Sequence, residues 1–386
     1  MPWQETCPVE ERLRFVHEFH RLDLPMAQLC RDFGISRKTG YKWLARFEER
    51  GRGGLDDRSH AVETHSNATH PKVEEFIVSL RRKFPHWGPK KLRRVLKMKA
   101  PAEPWPAAST IGEILRRHGL SKPQRRVKRT PPWTSPLTHA TEPNSVWCID
   151  FKGWFRTRNG VRCDPLTMSD AFSRYVLCSD VVRQPDERHV RPRMESVFRE
   201  YGLPIAIRSD NGPPFASRAA GGLSRLSAWW IRLGIRPERI EPGRPEQNGR
   251  HERMHRTLKA ETASPPAANH PAQQRAFDRF RETFNEERPH EALGQQTPAS
   301  VYQPSPRSYP ERLPELVYPN THELRRVRTD GTIQWANENV YVSEVLVGET
   351  VGLEPLDDRY WRLHFGPVCL GYVDRVTQAR VNYVRV

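Results

Sequence analysis

The sequence predicts a multidomain protein: an α-helical N-terminal part with helix-turn-helix units, a mixed α/β middle and a small β-barrel at the C-terminal end. Three observations carry this. The 386 residues suffice for two to four domains at roughly 100 to 200 each, and an apolar fraction of 36% argues against one large core. The hydrophobic period changes along the chain, from helical up to about residue 120, to mixed from about 144 to 300, to strand-like from about 325. The 35 prolines crowd residues 101–106, 131–136, 265–271 and 304–314, where long helical or strand patterns lapse. The balance of 63 Lys and Arg against 46 Asp and Glu, a formal charge of +17, makes nucleic acid the leading partner. No window approaches the ~18 to 20 apolar residues of a membrane span, and the N-terminus carries acids where a signal peptide needs an apolar run, so a cytoplasmic chain is expected. Six cysteines lie scattered with no C-x-x-C pair, which suggests reduced thiols rather than a zinc knuckle or a disulfide framework.

In residues 1–60, Leu13, Val16, His17 and His20 open a helical pattern, and Met26, Leu29 and Cys30 a second before Gly34. Ser36 reads as an N-cap, its hydroxyl able to accept from a free N–H of the next turn. The following helix puts Trp43, Leu44 and Phe47 inward and basic residues outward. A short helix, a turn at Gly34 and a basic third helix make a helix-turn-helix. Such a helix can set Arg37, Lys38, Tyr41 and Lys42 against base edges and phosphates in a major groove. The plainer alternative is a three-helix bundle with a solvated basic face. Residues 61–122 read as a second helix-turn-helix, with Val73, Phe76, Ile77 and Leu80, then Trp87, Leu92, Val95 and Leu96, at helical spacing. A last helix is expected from Thr110, with Thr110 and Glu113 as a capping box and Gly119 as its stop. Residues 123–143 form a basic, proline-rich linker in which Arg125, Arg126, Lys128 and Arg129 are candidate phosphate contacts.

From residue 144 the period is two. Trp147, Ile149 and Phe151 face one way, and Val146, Cys148 and Asp150 the other, so Asp150 needs a cation, a donor or a solvent-open strand end. Strands are expected at 161–169 and 175–182, then a helix with Val190, Met194, Val197 and Phe198 inward, stopped at Gly202. A short apolar strand from Pro204 ends at Asp210-Asn211-Gly212, where ligands of open α/β sheets bind. A Gly/Pro loop at 242–249 then runs into a helix that presents Glu252 on one stripe and His251, Met254 and Leu258 on another. Trp229 and Trp230 read as core rather than as a base-stacking pair, and Asp170 as a turn-capping acid. After a linker at 304–324, residues 325–386 carry strands at 332–335, 340–342, 350–353, 360–365 and 369–372.

The words around the acids carry a resemblance. Val-Trp-Cys-Ile-Asp150, Asp170-Ala-Phe-Ser-Arg-Tyr175, Ser209-Asp-Asn-Gly-Pro-Pro-Phe215, Gly249-Arg-His-Glu252-Arg-Met-His-Arg-Thr-Leu-Lys259 and Asn285-Glu-Glu-Arg-Pro-His-Glu-Ala-Leu293 closely resemble the DDE transposases of bacterial insertion sequences, kin to retroviral integrases. The resemblance implies an α/β RNase H-like catalytic core at 144–303 with Asp150, Asp210 and Glu252 as catalytic and metal-holding acids, and an SH3-like β domain at 325–386. Two departures stand out. The His-His-Cys-Cys zinc module of integrases is replaced by helices, and 41 residues separate Asp210 from Glu252 where the integrase pattern has fewer. Glu246, with 35 residues between it and Asp210, competes for the third place, but the Gly-x-x-Glu-x-x-x-x-x-Leu-Lys context belongs to Glu252. The surplus is expected as a surface insertion at 219–230.

Carboxylate oxygens are hard ligands suited to Mg²⁺ or Mn²⁺, and two ions per site can stabilise both the attacking and the leaving oxygen of an in-line displacement. Arg250, Arg253 and Lys259, with Arg208 and His255, are candidate holders of the DNA backbone. The expected activity is metal-dependent cleavage and strand transfer on double-stranded DNA, at the element's terminal repeats and in target DNA. Handling two ends together implies at least a dimer on DNA. The rivals are a DNA-binding regulator derived from such an enzyme and a plain nuclease.

Overall fold

A computed structural model describes residues 7–21, 24–57, 68–121, 140–241, 247 and 249–375, the side chain of Arg250 excepted. Arg125, Arg126, Lys128 and Arg129 lie outside the described residues, as does Glu246. The chain divides into two compact units, Met1–Thr69 and His70–Val386. No helix among the described residues is long and apolar enough to cross a membrane.

The first unit packs α1 (Pro8–Arg21), α2 (Met26–Asp32) and α3 (Arg37–Arg50) around Phe15, Val16, Leu29, Cys30, Trp43 and Leu44. In α1, His17 and His20 face solvent and Phe15 takes the inward place, because the buried stripe runs one residue earlier than the pattern suggested. Gly34 turns the chain at φ +65°. The Ser36 hydroxyl caps α3, accepting from Thr39 N at 3.1 Å. Gly40 lets α2 and α3 approach, since a Cβ there would meet Cys30 Sγ at 2.7 Å.

The second unit opens with α4 (Pro71–Lys83), α5 (Pro89–Lys99) and α6 (Ala108–Arg117) around Ile77, Trp87, Leu92, Leu96, Ile111 and Leu115. Phe76, expected inward, is exposed. The capping box at Thr110 does not form. The helix begins two residues earlier, after Pro106, so Thr110 lies inside its first turn and Glu113 pairs with Arg116 instead. Gly119 ends it at φ +68°, with Leu120 N donating to Leu115 O at 2.8 Å.

Next comes a mixed sheet built from β1 (Val146–Phe151), β2 (Phe155–Arg156), β3 (Arg162–Asp170), β4 (Val176–Val182), β5 (Ala206–Ser209) and β6 (Arg236–Arg239). β1 pairs antiparallel with β3 and parallel with β5, β5 pairs parallel with β6, and β2 and β4 both join β3. α7 (Glu187–Tyr201) and α8 (Arg225–Arg232) pack on one side over Trp147, Ile149, Met168 and Ile207. On the other, α9 (Gly249–Thr262) and α10 (His270–Glu282) bring Met254, Leu258, Phe277 and Phe280 against Cys163 and Val176. Helices on both faces bury both sides of β1, with Trp147 and Ile149 in one core and Val146 and Cys148 in another.

The stretch 219–230 is not a surface insertion. Leu226, Trp229 and Trp230 sit in the main core, while Ala220, Leu223, Ala228 and Ile231 join the core of the C-terminal β module. Its apolar residues recur at helical spacing, and burying both sides of α8 joins the two cores. Residues 304–324, expected as a linker, are tied along this seam: Arg307 donates to Pro204 O, Leu233 O and Gly234 O, and Arg232 to Pro314 O.

The C-terminal strands are β7 (Glu323–Arg326), β8 (Thr332–Trp335), β9 (Glu338–Tyr341), β10 (Thr350–Pro355), β11 (Tyr360–Phe365) and β12 (Val368–Asp374). Among the described residues they form an antiparallel sheet ordered β12-β11-β10-β7 and a separate β8-β9 hairpin, not the closed barrel expected. Past Arg326 the ladder gives way to loop bonds, Val327 N to Glu349 O and Gly348 N to Val327 O, both 2.9 Å, before the hairpin begins. The two pieces share one core of Ile333, Trp335, Val351, Leu353, Leu363 and Phe365.

Candidate active site

The parallel register of β1 with β5 positions the two aspartates. Cys148 lies beside Arg208, so two residues further along each strand Asp150 and Asp210 reach the same level at the carboxyl ends. Parallel neighbours lie about 4.8 Å apart, which makes this a paired-acid site. Gly212 closes the loop over Asp210, and a Cβ there would meet Asp210 Oδ2 at 3.1 Å. Asp210 Oδ1 is buried without a hydrogen-bond partner.

Asp150 is pushed up to about 7 by burial first and then by the Asp210 carboxylate, with Glu252 adding to it; the Phe151 N–H and Lys152 pull the other way. Burial also raises Asp210, against the Gly212 N–H. Two adjacent acids in a desolvated place resist ionising together. Glu252 is exposed on the first turn of α9. The ligand atoms of these three acids do not all lie within 4.8 Å of one another; among the described residues that closeness occurs only at His322, Glu354 and His364.

Behind Asp150 stands a polar network. Thr167 faces Asp150 across β1 and β3, and its hydroxyl donates to Asp150 O at 3.0 Å. Having one proton, that hydroxyl accepts from His251 Nε2 at 2.8 Å and His255 Nε2 at 2.6 Å, which assigns both rings the Nε2–H tautomer. Ser169 Oγ then donates to His251 Nδ1 at 2.8 Å, and His255 Nδ1 lies 3.8 Å from Asp150 Oδ2. Burial holds His251 at about 3 and His255 at about 2, so both are neutral. Thr167, Ser169 and His251 were not singled out in the sequence as site residues. The signal was present, for a buried histidine at i, i+4 to another needs polar partners, and β3 alternates Thr167 and Ser169.

His255 and Arg208 are corrected as backbone holders. His255 is 4% exposed and committed to Thr167, and Arg208 is buried against Glu238 at 3.0 Å. Both lie on faces turned to the protein, which their charge alone did not reveal. Arg253 and Lys259 are exposed on α9, and Arg250 is on the same helix. Arg37, Lys38, Tyr41 and Lys42 are exposed on α3, where Lys42 Nζ lies 4.2 Å over the Trp43 ring. Asp170 accepts from Asn144 N, Phe172 N, Ser173 N and Ser173 Oγ at 2.7 to 3.1 Å, the turn-capping role read from its position. The Arg-Pro-His word after α10 braces the helix of Glu252: Arg288 donates to Glu261 at 3.0 Å.

Family models described as integrase core domain match residues 140–245 and 233–298. A helix-turn-helix domain model matches 11–61 and a homeodomain-like domain model 39–115. The chain is similar to the 31.7 kDa protein of insertion element IS407 of Burkholderia multivorans, 32% identical over 158 residues, 41% of this chain and 54% of that protein. It is also similar to the 39.2 kDa protein of insertion element IS476 of Xanthomonas euvesicatoria, 30% identical over 177 residues, 46% of this chain and 49% of that protein. The matched region thus spans about half the length of these relatives. Among solved structures, the magnesium complex of the HTLV-2 integrase catalytic core domain aligns at 14% identity and TM-score 0.34, over 43% of this chain and all of that one.

Proposed function

We propose, from the premise that this chain is an integrase-superfamily protein of the insertion-element type with helix-turn-helix domains ahead of its core, that it is a DNA transposase. It binds the terminal repeats of its element and catalyses strand cleavage and transfer at Asp150, Asp210 and Glu252. The observation that supports this most is the register that brings Asp150 and Asp210 to one level of adjacent parallel strands, beside the helix of Glu252.

An all-oxygen donor set suits Mg²⁺ or Mn²⁺. Two features fit a cation here: Asp210 Oδ1 is buried without a partner, and burial and neighbouring acids push Asp150 up to about 7, a penalty on its charged form that a divalent ion offsets. Asp150, Asp210 and Glu252 would hold two such ions, which when bound supply charge stabilisation at the attacking and leaving oxygens. The chain's own residues do the rest. Thr167, His251 and His255 fix the strand and helix behind Asp150, and Arg288 fixes α9. Arg253 and Lys259 contact phosphates, setting register without reading sequence. Water first hydrolyses the phosphodiester at the element's 3′ end, and the freed 3′-hydroxyl then attacks a target phosphodiester in line, displacing the target strand's 3′-oxygen, which leaves as a hydroxyl, with no covalent protein–DNA intermediate. Two ends handled together require at least a dimer on DNA, in the cytoplasm.

The test uses labelled duplexes from the DNA flanking the gene, incubated with Mg²⁺ or Mn²⁺ beside the Asp210→Asn protein. Metal-dependent nicked and joined products absent from the variant support the transposase. Sequence-specific binding without any product supports the regulator, and nicking without joining supports the nuclease.

A further inference from the structure

We propose a second metal site, for a zinc-class transition ion, on the C-terminal sheet at His322, Glu354 and His364. The register places them on one face of three neighbouring strands. Leu353 pairs with Glu323, so continuing the ladder by one residue puts His322 opposite Glu354. On the other side Glu354 pairs with Arg362 and Gly352 with His364, which sets His364 diagonal to Glu354. Donor atoms of all three lie within 4.8 Å of one another, and all three residues are half-buried.

The spacing fits an ion. A tetrahedral metal about 2.0 to 2.2 Å from its donors holds them about 3.4 Å apart. His364 Nε2 and Glu354 Oε2 are 3.2 Å apart. Gly352 keeps the face open beside them, since a Cβ there would meet the Tyr318 ring at 2.5 Å and His322 Cδ2 at 3.0 Å. Thr321 Oγ1 lies 3.3 Å from His322 Nδ1, which leaves Nε2 for coordination, and Arg362 Nη1 lies 3.3 Å from Glu354 Oε2 as an outer partner.

Two imidazoles and one carboxylate suit Zn²⁺, whereas Mg²⁺ and Mn²⁺ favour the oxygen-only acids of the core. Three protein donors leave a fourth position for water or an outside ligand. The ion ties the segment entering β7 to β10 and β11, next to Tyr318, whose hydroxyl bonds Thr350 O at 2.7 Å and Gly366 N at 3.0 Å.

The test uses the full chain, stripped by chelator, in the Asp210→Asn background so that the core acids are disabled. Titration with Co²⁺ or Zn²⁺ is expected to show one ion bound with the visible absorption of a four- or five-coordinate Co²⁺ site, and Zn²⁺ to raise the Tm by roughly 3 °C or more. Adding His322→Ala, or separately Glu354→Gln, removes both effects. Glu354→Gln keeps the side-chain volume, and its metal-free Tm and near-ultraviolet circular dichroism report whether it folds; it decides the matter if His322→Ala does not fold. Equal uptake and equal Tm rise with and without Glu354→Gln, or no uptake at micromolar Zn²⁺, overturns the proposal.

Discussion

At the residue scale, two aspartates of one sheet, Asp170 buried and Asp150 half-buried, differ in their hydrogen-bond partners. Asp170 is 1% exposed yet accepts four hydrogen bonds, so its carboxylate is satisfied by the turn it caps. Burial still raises Asp170 against those donors; Asp150 lacks such a shell and faces neighbouring acids as well, and its pKa rises from an ordinary 3.8 to about 7. Metal-free folded protein therefore holds a proton that the unfolded chain releases between about pH 4 and 7. That contribution stabilises the fold below the window and is lost as pH rises through it. In chelator, the Tm of the wild type minus that of Asp150→Asn is expected to fall between about pH 4 and pH 7, and to recover on adding Mg²⁺; a difference flat in pH across that window refutes the environment assigned to Asp150. Glu246 is the other acid with a claim on the third place by spacing. Glu246→Gln is expected to keep strand-joining activity, and its loss would move the third acid there.

At the element scale, the proposed function gives α3 and α9 separate duties. Arg37→Ala with Lys38→Ala is expected to weaken binding to element ends and to make the salt slope shallower by about 0.9 for each phosphate that is no longer neutralised. An unchanged slope in a salt titration takes α3 out of the interface. α9 is anchored at its far end by Arg288, with side chains 10% and 22% exposed at Arg288 and Glu261. Arg288→Ala is expected to cost about 2 kcal/mol, less than the ~3–5 of breaking a fully buried pair, as read by urea unfolding. Stability equal to the wild type would show the brace to be idle. β6 was not legible in the sequence. Arg236-Pro-Glu-Arg239 has no apolar alternation because it is an edge strand, recruited by backbone pairing to β5, with Glu238 meeting Arg208 and Arg236. β1 and α7 were legible because burial writes their period directly into Trp147 and Ile149, and into Val190, Met194 and Val197.

At the scale of the whole molecule, the succession of helical, mixed and β parts follows from changes in hydrophobic period, and the flanking words of the acids picked out one stripe of a helix and two strand ends. Long-range placement was less legible. Surplus length between Asp210 and Glu252 suggested a surface insertion, although Leu223, Leu226, Trp229 and Trp230 already carry a helical stripe that the fold buries between two cores. The cluster of His322, Glu354 and His364 was invisible for a different reason, since strand register rather than spacing brings together residues 32 and 10 positions apart. The most direct measurement is single-turnover strand joining, with duplex ends that already expose a 3′-hydroxyl, in Mg²⁺, by the wild type and by Asp150→Asn, Asp210→Asn and Glu252→Gln. If these three acids hold the catalytic ions, each variant joins roughly a thousandfold more slowly or not at all while still binding the ends. Joining within tenfold of the wild type in any of them would contradict the assignment of that acid.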